Sequence, residues 1–251
     1  MTAPVLAGAE PWAAEGGPEG ALVLHGFTGN PQSMRPLARA FAEAGFTTEL
    51  PLLPGHGTVI EDMIPTRWAD WHRAAEEAYA GLARRCRRVV VAGLSMGGTL
   101  TCRLAADHPE IAGIVVVNPL VDPPADSFFE ILSGLLESGT EVMAGVGSDI
   151  AMPGITEAAY AGSPVAAAKS LFEGVRQLRP DLSRITCPVL IYTSTQDHVV
   201  PPVSSDVLAA SVSGPVERVI LERSYHVATL DYDAADIEAG AVEFARRVTK
   251  S

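Results

Sequence analysis

Six short apolar runs, separated by stretches with helical spacing, restrict the fold of this chain more than any other feature. They are ALVLH (21–25), FTTELP (46–51), RVVVAG (88–93), IAGIVVVN (111–118), CPVLIYTS (187–194) and ERVILE (217–222). The runs are continuous rather than alternating, as in strands covered on both faces. Between them, SMRPLARAFAEAG (33–45), WADWHRAAEEAYAGLARRC (68–86) and AADIEAGAVEFARRVT (234–249) repeat apolar residues at helical spacing. Such alternation predicts an α/β protein with a mostly parallel, doubly wound sheet. It lapses once, between Asn118 and Cys187. There SFFEILSGLLES sets Phe128, Ile131, Leu132, Leu135 and Leu136 at helical spacing, and a second helical pattern lies near VAAAKSLFEGVRQL. We read this stretch as an inserted helical cap. One domain then has its core in residues 1–120 and 182–251 and its cap in 121–181; no internal repeat or linker interrupts it.

The third run leads straight into Leu94-Ser95-Met96 and then GGTLTCRLAADHP, a helical stretch that stops before Pro109. Gly93 and Gly97 flank Ser95 at two residues' distance, the G-x-S-x-G pattern of a nucleophile elbow. A strand that turns this sharply into a helix leaves room only for small neighbours and lifts the serine hydroxyl out of the sheet edge. The pattern alone occurs by chance, and a serine at a tight turn is commonly a cap; between a buried strand and a helix it designates Ser95 as a nucleophile.

A neutral hydroxyl needs a base, and that base needs a carboxylate. In this architecture the chain order is Ser, then Asp or Glu, then His. His108, His198 and His226 follow Ser95. His108 stands at a helix end before Pro109, where capping carbonyls is the expected role. His198 directly follows an acid, with a long path to the next strand. His226, in ERSYHVATLD after the last strand, falls on the same carboxyl edge as Ser95, and an imidazole titrating near about 6.5 suits proton transfer. Asp197, after the strand VLIYTS, is the leading acid, with Asp122 in reserve; Asp231 and Asp233 are so close to His226 that bracing its loop is their expected role. Two backbone donors for an oxyanion are expected from Met96, next to the nucleophile, and from Phe27 in LVLHGFTGN after the first strand.

The remaining signals set limits. His25 and His56 lie in glycine loops and are expected to hold backbone, and His72 to pack on its helix. No HExxH or Cys/His pairing suggests a metal, no GxGxxG or G-K-[ST] a nucleotide, so no metal and no cofactor are expected. A formal net charge of −12 disfavours nucleic acid or an anionic membrane surface; the one basic cluster, RRCRR at 84–88, ends a helical pattern where cations meet the helix dipole. Cys86, Cys102 and Cys187 are odd in number and widely spaced, as expected of reduced thiols. With no basic-apolar leader and no run of roughly 18 apolar residues, the expected location is cytoplasmic.

Taken together, HGFTGNPQSMRPLA, LPLLPGHGT, GLSMGGTL, QDHVVPP and SYHVATLDYD resemble the bacterial monoacylglycerol lipase and carboxylesterase family of α/β-hydrolases. The resemblance spans nearly the full core. It implies Ser95 as nucleophile, Asp197 as acid, His226 as base and the Phe27 and Met96 amides as oxyanion donors. It also implies hydrolysis of the single ester of a monoacylglycerol under a mobile cap, without a cofactor. Family members hold the glycerol with a cap glutamate and with polar groups near the strand before the cap, here Glu157 in TEAAY and Asn118 in VVNP. Each has a structural alternative, Glu157 as a solvated helical charge and Asn118 as a strand-end turn residue. Phe128, Ile131 and Leu135 would meet an acyl chain if their face covers the pocket, and an apolar cap rim would allow transient contact with lipid aggregates. A general carboxylesterase, a diacylglycerol lipase, a thioesterase and a receptor without turnover are the alternatives on such a scaffold. Nothing in the sequence fixes an oligomeric state.

Overall fold

The computed structural model describes residues 3–250. Nine strands and eight helices follow one another as β1 (Trp12–Ala14), β2 (Glu19–Leu24), α1 (Arg35–Glu43), β3 (Thr47–Leu50), α2 (Ile60–Met63), α3 (Trp68–Ala83), β4 (Arg88–Leu94), α4 (Met96–Asp107), β5 (Gly113–Val117), α5 (Asp126–Glu137), β6 (Val142–Ala144), β7 (Gly162–Pro164), α6 (Val165–Leu178), β8 (Val189–Ser194), α7 (Val203–Ser211), β9 (Val216–Leu221) and α8 (Ala234–Thr249). The main sheet has the order β1-β3-β2-β4-β5-β8-β9. All its pairs are parallel except β1 with β3. β6 and β7 form a separate antiparallel pair in the insertion.

Two-residue alternation within the central strands divides the core into two layers. Leu22, Leu24, Val89, Val91, Ile114, Val116, Val189 and Ile191 pack with α3, α4, α6 and Leu208 of α7 on one face. Their neighbours Ala21, Val23, Val90, Ala92, Val115, Val117, Leu190 and Tyr192 pack with α1 and α8 on the other. This is why the central runs read as uninterrupted apolar sequence: each side chain meets a helix, whichever way it points. The expectation of cover on both faces fails at edge strand β9, where Val219 and Ile220 are exposed. The doubly wound sheet is as expected. β1 is a short antiparallel edge that carries no apolar run.

The insertion does not stand apart from the core along its whole length. Val165, Ala167, Ala168, Leu171, Val175 and Leu178 of α6 are buried, most of them in the same layer as α3 and α4, and Ser170 accepts the Trp68 N–H at 2.9 Å. Proposed from sequence as 121–181, the cap thus merges into the core through α6. At the end of α3 the arginines do not line up along the helix dipole. Arg85 pairs with Glu15 and Glu49, and Arg87 with Glu19.

Candidate active site

Ser95 stands between the end of β4 and the first residue of α4, with φ 56° and ψ −118°. This left-handed conformation is strained for a residue bearing a Cβ. Packing enforces it. A Cβ on Gly93 would collide with the Gly97 carbonyl, and one on Gly97 with the carbonyls of Leu24 and His25. The Ser95 N–H donates to Val117 O at 3.0 Å, which fixes the turn to β5.

His226 follows β9 and Asp197 follows β8, both at the carboxyl ends of parallel strands. Nδ1 of His226 lies 2.7 Å from Asp197 Oδ2, and the two side chains are 8% and 2% exposed. The other carboxylate oxygen, Oδ1, accepts the N–H groups of Val199 and Val200, each at 2.8 Å. An acid-held imidazole needs a fixed tautomer, and this pairing puts the proton on Nδ1 and leaves Nε2 as the acceptor. The rivals are engaged elsewhere. His198 is 61% exposed and pairs with Asp149. His108, expected to cap carbonyls, instead reaches Glu76 at 2.8 Å and Glu110 at 3.3 Å through its ring, because two carboxylates are better partners than half-solvated carbonyls. Asp122 is half-exposed beside Arg179. Asp233 is held by Arg223 and Ser224, and Asp231 accepts the Tyr225 N–H, so both brace the His226 loop.

The N–H groups of Phe27 and Met96 stand near the elbow without a protein acceptor among the described residues. Gly26 packs its Cα against the elbow: a Cβ there would lie 3.6 Å from Ser95 Cβ. The loop is rigid. The His25 ring bonds Gly26 O through Nδ1 and accepts the Leu53 N–H at Nε2, and Thr28 takes φ 62°. The Trp71 ring backs Phe27 at 5.7 Å and its indole N–H donates to Pro54 O. His25 and His56 hold backbone as expected, and desolvation by burial drops their pKa values to about 3 and about 4.

The insertion covers a partly open cavity of about 270 Å³ above these groups. Ser95 and His226 open onto it together, and apolar walls come from Leu120, Phe128, Met143, Val146, Leu171 and Phe172. Phe128 thus faces the cavity, whereas Ile131 points to solvent at 59% exposure and Leu132 turns into the core. A larger depression of about 990 Å³ lies at the amino ends of the strands, between Glu19, Phe46, Arg87 and Arg246, away from Ser95.

Glu157 lines the same cavity. Desolvation lifts its carboxyl above the ordinary carboxylate range, against the pull of the Ser33 hydroxyl and the field of His226. Glu157 is half-buried in the cavity wall and outside any helix, unlike a solvated helical charge. Asn118 does not line the cavity and fits its strand-end alternative. Its φ is 45°, and its carboxamide is fully engaged: Nδ2 donates to Ser194 Oγ and His226 O, and Oδ1 accepts the Ser194 N–H. With no donor left for a ligand, Asn118 ties the strand end to the His226 loop. Metal-type ligands come together away from the cavity, where His72, Glu76 and Asp107 lie within 4.8 Å of one another at the far end of α4. Arg103 and Arg184 already hold Asp107 there.

Comparison with known proteins agrees with this layout. Residues 21–239 match the alpha/beta hydrolase family. A thermostable monoacylglycerol lipase from Bacillus sp. (strain H-257) is 48% identical over 244 residues, 96% of each chain. A carboxylesterase from Bacillus subtilis (strain 168) is 26% identical over 242 residues, 95% of this chain and 97% of the other. Among solved structures, a metagenome-derived lipolytic enzyme superposes with TM-score 0.93 at 40% identity, covering 97% of this chain and 100% of its own.

Proposed function

The chain belongs to the α/β-hydrolase family, and from that premise we propose that it is a carboxylic ester hydrolase that cleaves monoacylglycerols to fatty acid and glycerol through Ser95, His226 and Asp197. The observation that carries the reading is that Ser95 and His226 open onto one small, mostly apolar cavity, with the cap carboxyl of Glu157 in its wall.

In this mechanism Nε2 of His226 takes the Ser95 proton as Oγ attacks the ester carbonyl. Asp197 holds the imidazole in the acceptor tautomer and stabilises the cation that forms. The oxyanion rests on the N–H groups of Phe27 and Met96, at the amino end of α4, where the helix dipole also favours negative charge. The proton on Nε2 passes to the departing glycerol oxygen. Water then enters, gives a proton to the same nitrogen and attacks the acyl carbonyl; as the bond to Ser95 Oγ breaks, that proton returns to Oγ and the acid leaves.

The substrate class follows from the walls. An acyl chain meets Phe128, Met143, Leu171 and Phe172, and the polar head meets Glu157. A partly open cavity of about 270 Å³ fits one acyl chain better than the two of a diacylglycerol. Ile131, Leu136, Val142, Val146 and Ile155 are exposed apolar residues of the cap, and transient contact with lipid aggregates would go through them. No helix among the described residues is long and apolar enough to cross a membrane. Rates on matched monoacylglycerols, diacylglycerols, thioesters and amides test the assignment. Monoacylglycerol should give the highest kcat/KM, and a faster thioester or diacylglycerol would move the enzyme to another reaction class.

A further inference from the structure

Between β6 and β7 the cap touches the active site in a consecutive series. Val146 and Gly147 line the cavity. The Ser148 hydroxyl accepts the Glu157 N–H at 2.8 Å. Asp149, with a side chain 13% exposed, turns away to the catalytic loops. Its Oδ2 accepts the N–H of His226 at 3.0 Å and the N–H of His198 at 3.1 Å. Its Oδ1 lies 2.8 Å from His198 Nδ1, and its own carbonyl accepts the Val227 N–H at 3.0 Å. His198 directly follows Asp197, so one carboxylate grips the loop of the base and the loop of the acid together.

We propose that Asp149 is a positioning residue for the reaction, through which the cap segment 146–149 sets the alignment of His226 against Asp197. The proposal rests on the triad reading above. The requirement is for an acceptor oxygen at the Oδ2 position, where two backbone N–H groups converge, while Oδ1 faces a His198 ring nitrogen that can meet either an acceptor or a donor. Asn118 holds the His226 carbonyl from the sheet side, and Asp149 holds its N–H from the cap side. The base is thus clamped across its own peptide units. Residues that line the cavity are two and three positions from the clamp, so a cap displaced from its seat carries the acceptor away from His226. Alignment of the base becomes conditional on a seated cap. A neighbouring staple reinforces the seat: Asp231 accepts the N–H groups of Ala151 and Met152 as well as that of Tyr225.

The test compares Asp149→Ala, Asp149→Asn and Asp149→Glu with wild type and with Ser95→Ala on a soluble p-nitrophenyl ester. Ala removes the acceptors, Glu moves them by one methylene, and Asn keeps an acceptor oxygen at the Oδ2 position. A misplacement of about 1 Å at a reacting group can cost up to about 10²-fold in rate. The expected result is a kcat loss of roughly 10- to 10²-fold for Ala and Glu, KM within about threefold, and recovery of most of kcat in Asn. If Ala does not fold, by circular dichroism and melting, the Glu and Asn pair decides. A folded Ala or Glu variant within about twofold of wild type, an Asn variant as impaired as Ala or Glu, or a loss confined to KM overturns the proposal. These outcomes count against Asp149 alone when Ser95→Ala is inactive; an active Ser95→Ala rejects the triad reading itself.

Discussion

His226 donates its Nδ1 proton to Asp197 Oδ2 across 2.7 Å, and both side chains are nearly sealed from solvent. In the proposed mechanism the pair fixes which imidazole nitrogen receives the Ser95 proton. Asp197→Asn keeps the shape and inverts that preference, because an amide N–H facing the ring stabilises the other tautomer. We expect kcat to fall by about 10³- to 10⁴-fold, with the melting midpoint close to wild type, measured by steady-state ester hydrolysis and thermal unfolding.

Asn118→Ala should weaken both stability and turnover. It leaves the buried Ser194 N–H without its acceptor and the His226 carbonyl without its nearest donor. An unsatisfied buried polar group costs about 1–3 kcal/mol, so the denaturant midpoint should drop accordingly, and kcat should fall while KM for a soluble ester changes little. A glycerol-binding role would instead raise KM for monoacylglycerol selectively.

Much of this arrangement was legible in the sequence, for identifiable reasons. The six apolar runs all contain strands of the main sheet; in the central strands two-sided burial writes itself as continuous Val, Ile and Leu, whereas edge strand β9 keeps Val219 and Ile220 exposed. Ser95 was legible because the elbow's geometry needs Gly93 and Gly97, and His226 and Asp197 because the parallel topology sends every strand end to one edge. The bonding of Asn118 was not legible, since its neighbours in space, Ser194 and His226, are far off in sequence. The β6–β7 pair was not legible: three-residue strands built from VMA and GSP carry no periodicity. The Asp149 clamp was hidden for the same reason, in a Gly-rich stretch where only the folded cap brings the carboxylate to the catalytic loops.

Glu157→Ala should separate head-group recognition from chemistry. The carboxyl stands in the cavity wall with its pKa raised by burial. Losing one or two hydrogen bonds to glycerol hydroxyls should raise KM for a monoacylglycerol by up to about tenfold. Hydrolysis of a p-nitrophenyl ester, which has no such head, should keep its KM.

Acid should destabilise the fold through the buried pair His25 and His56. Their folded pKa values lie near 3 and 4, below the ordinary value of 6.5, chiefly because burial desolvates the charged ring. The unfolded chain therefore binds more protons than the native one below about pH 6.5. The stability these neutral rings contribute is complete above that pH and is lost as pH falls toward 4 and 3, by up to about 1.4 kcal/mol per proton per pH unit. His56→Asn can retain the donor to Pro54 O without the titrating ring. Its unfolding free energy should fall less steeply than that of wild type between pH 6.5 and 4 in denaturant titrations.

The most direct measurement is covalent: a fluorophosphonate probe, peptide mass spectrometry and the rate of Ser95→Ala in the same ester assay. The account predicts one label per chain, located on Ser95, no label on Ser95→Ala, and a rate reduced by about 10⁴-fold or more in that variant. A label on another residue, or a Ser95→Ala variant that hydrolyses ester within about tenfold of wild type, would contradict it.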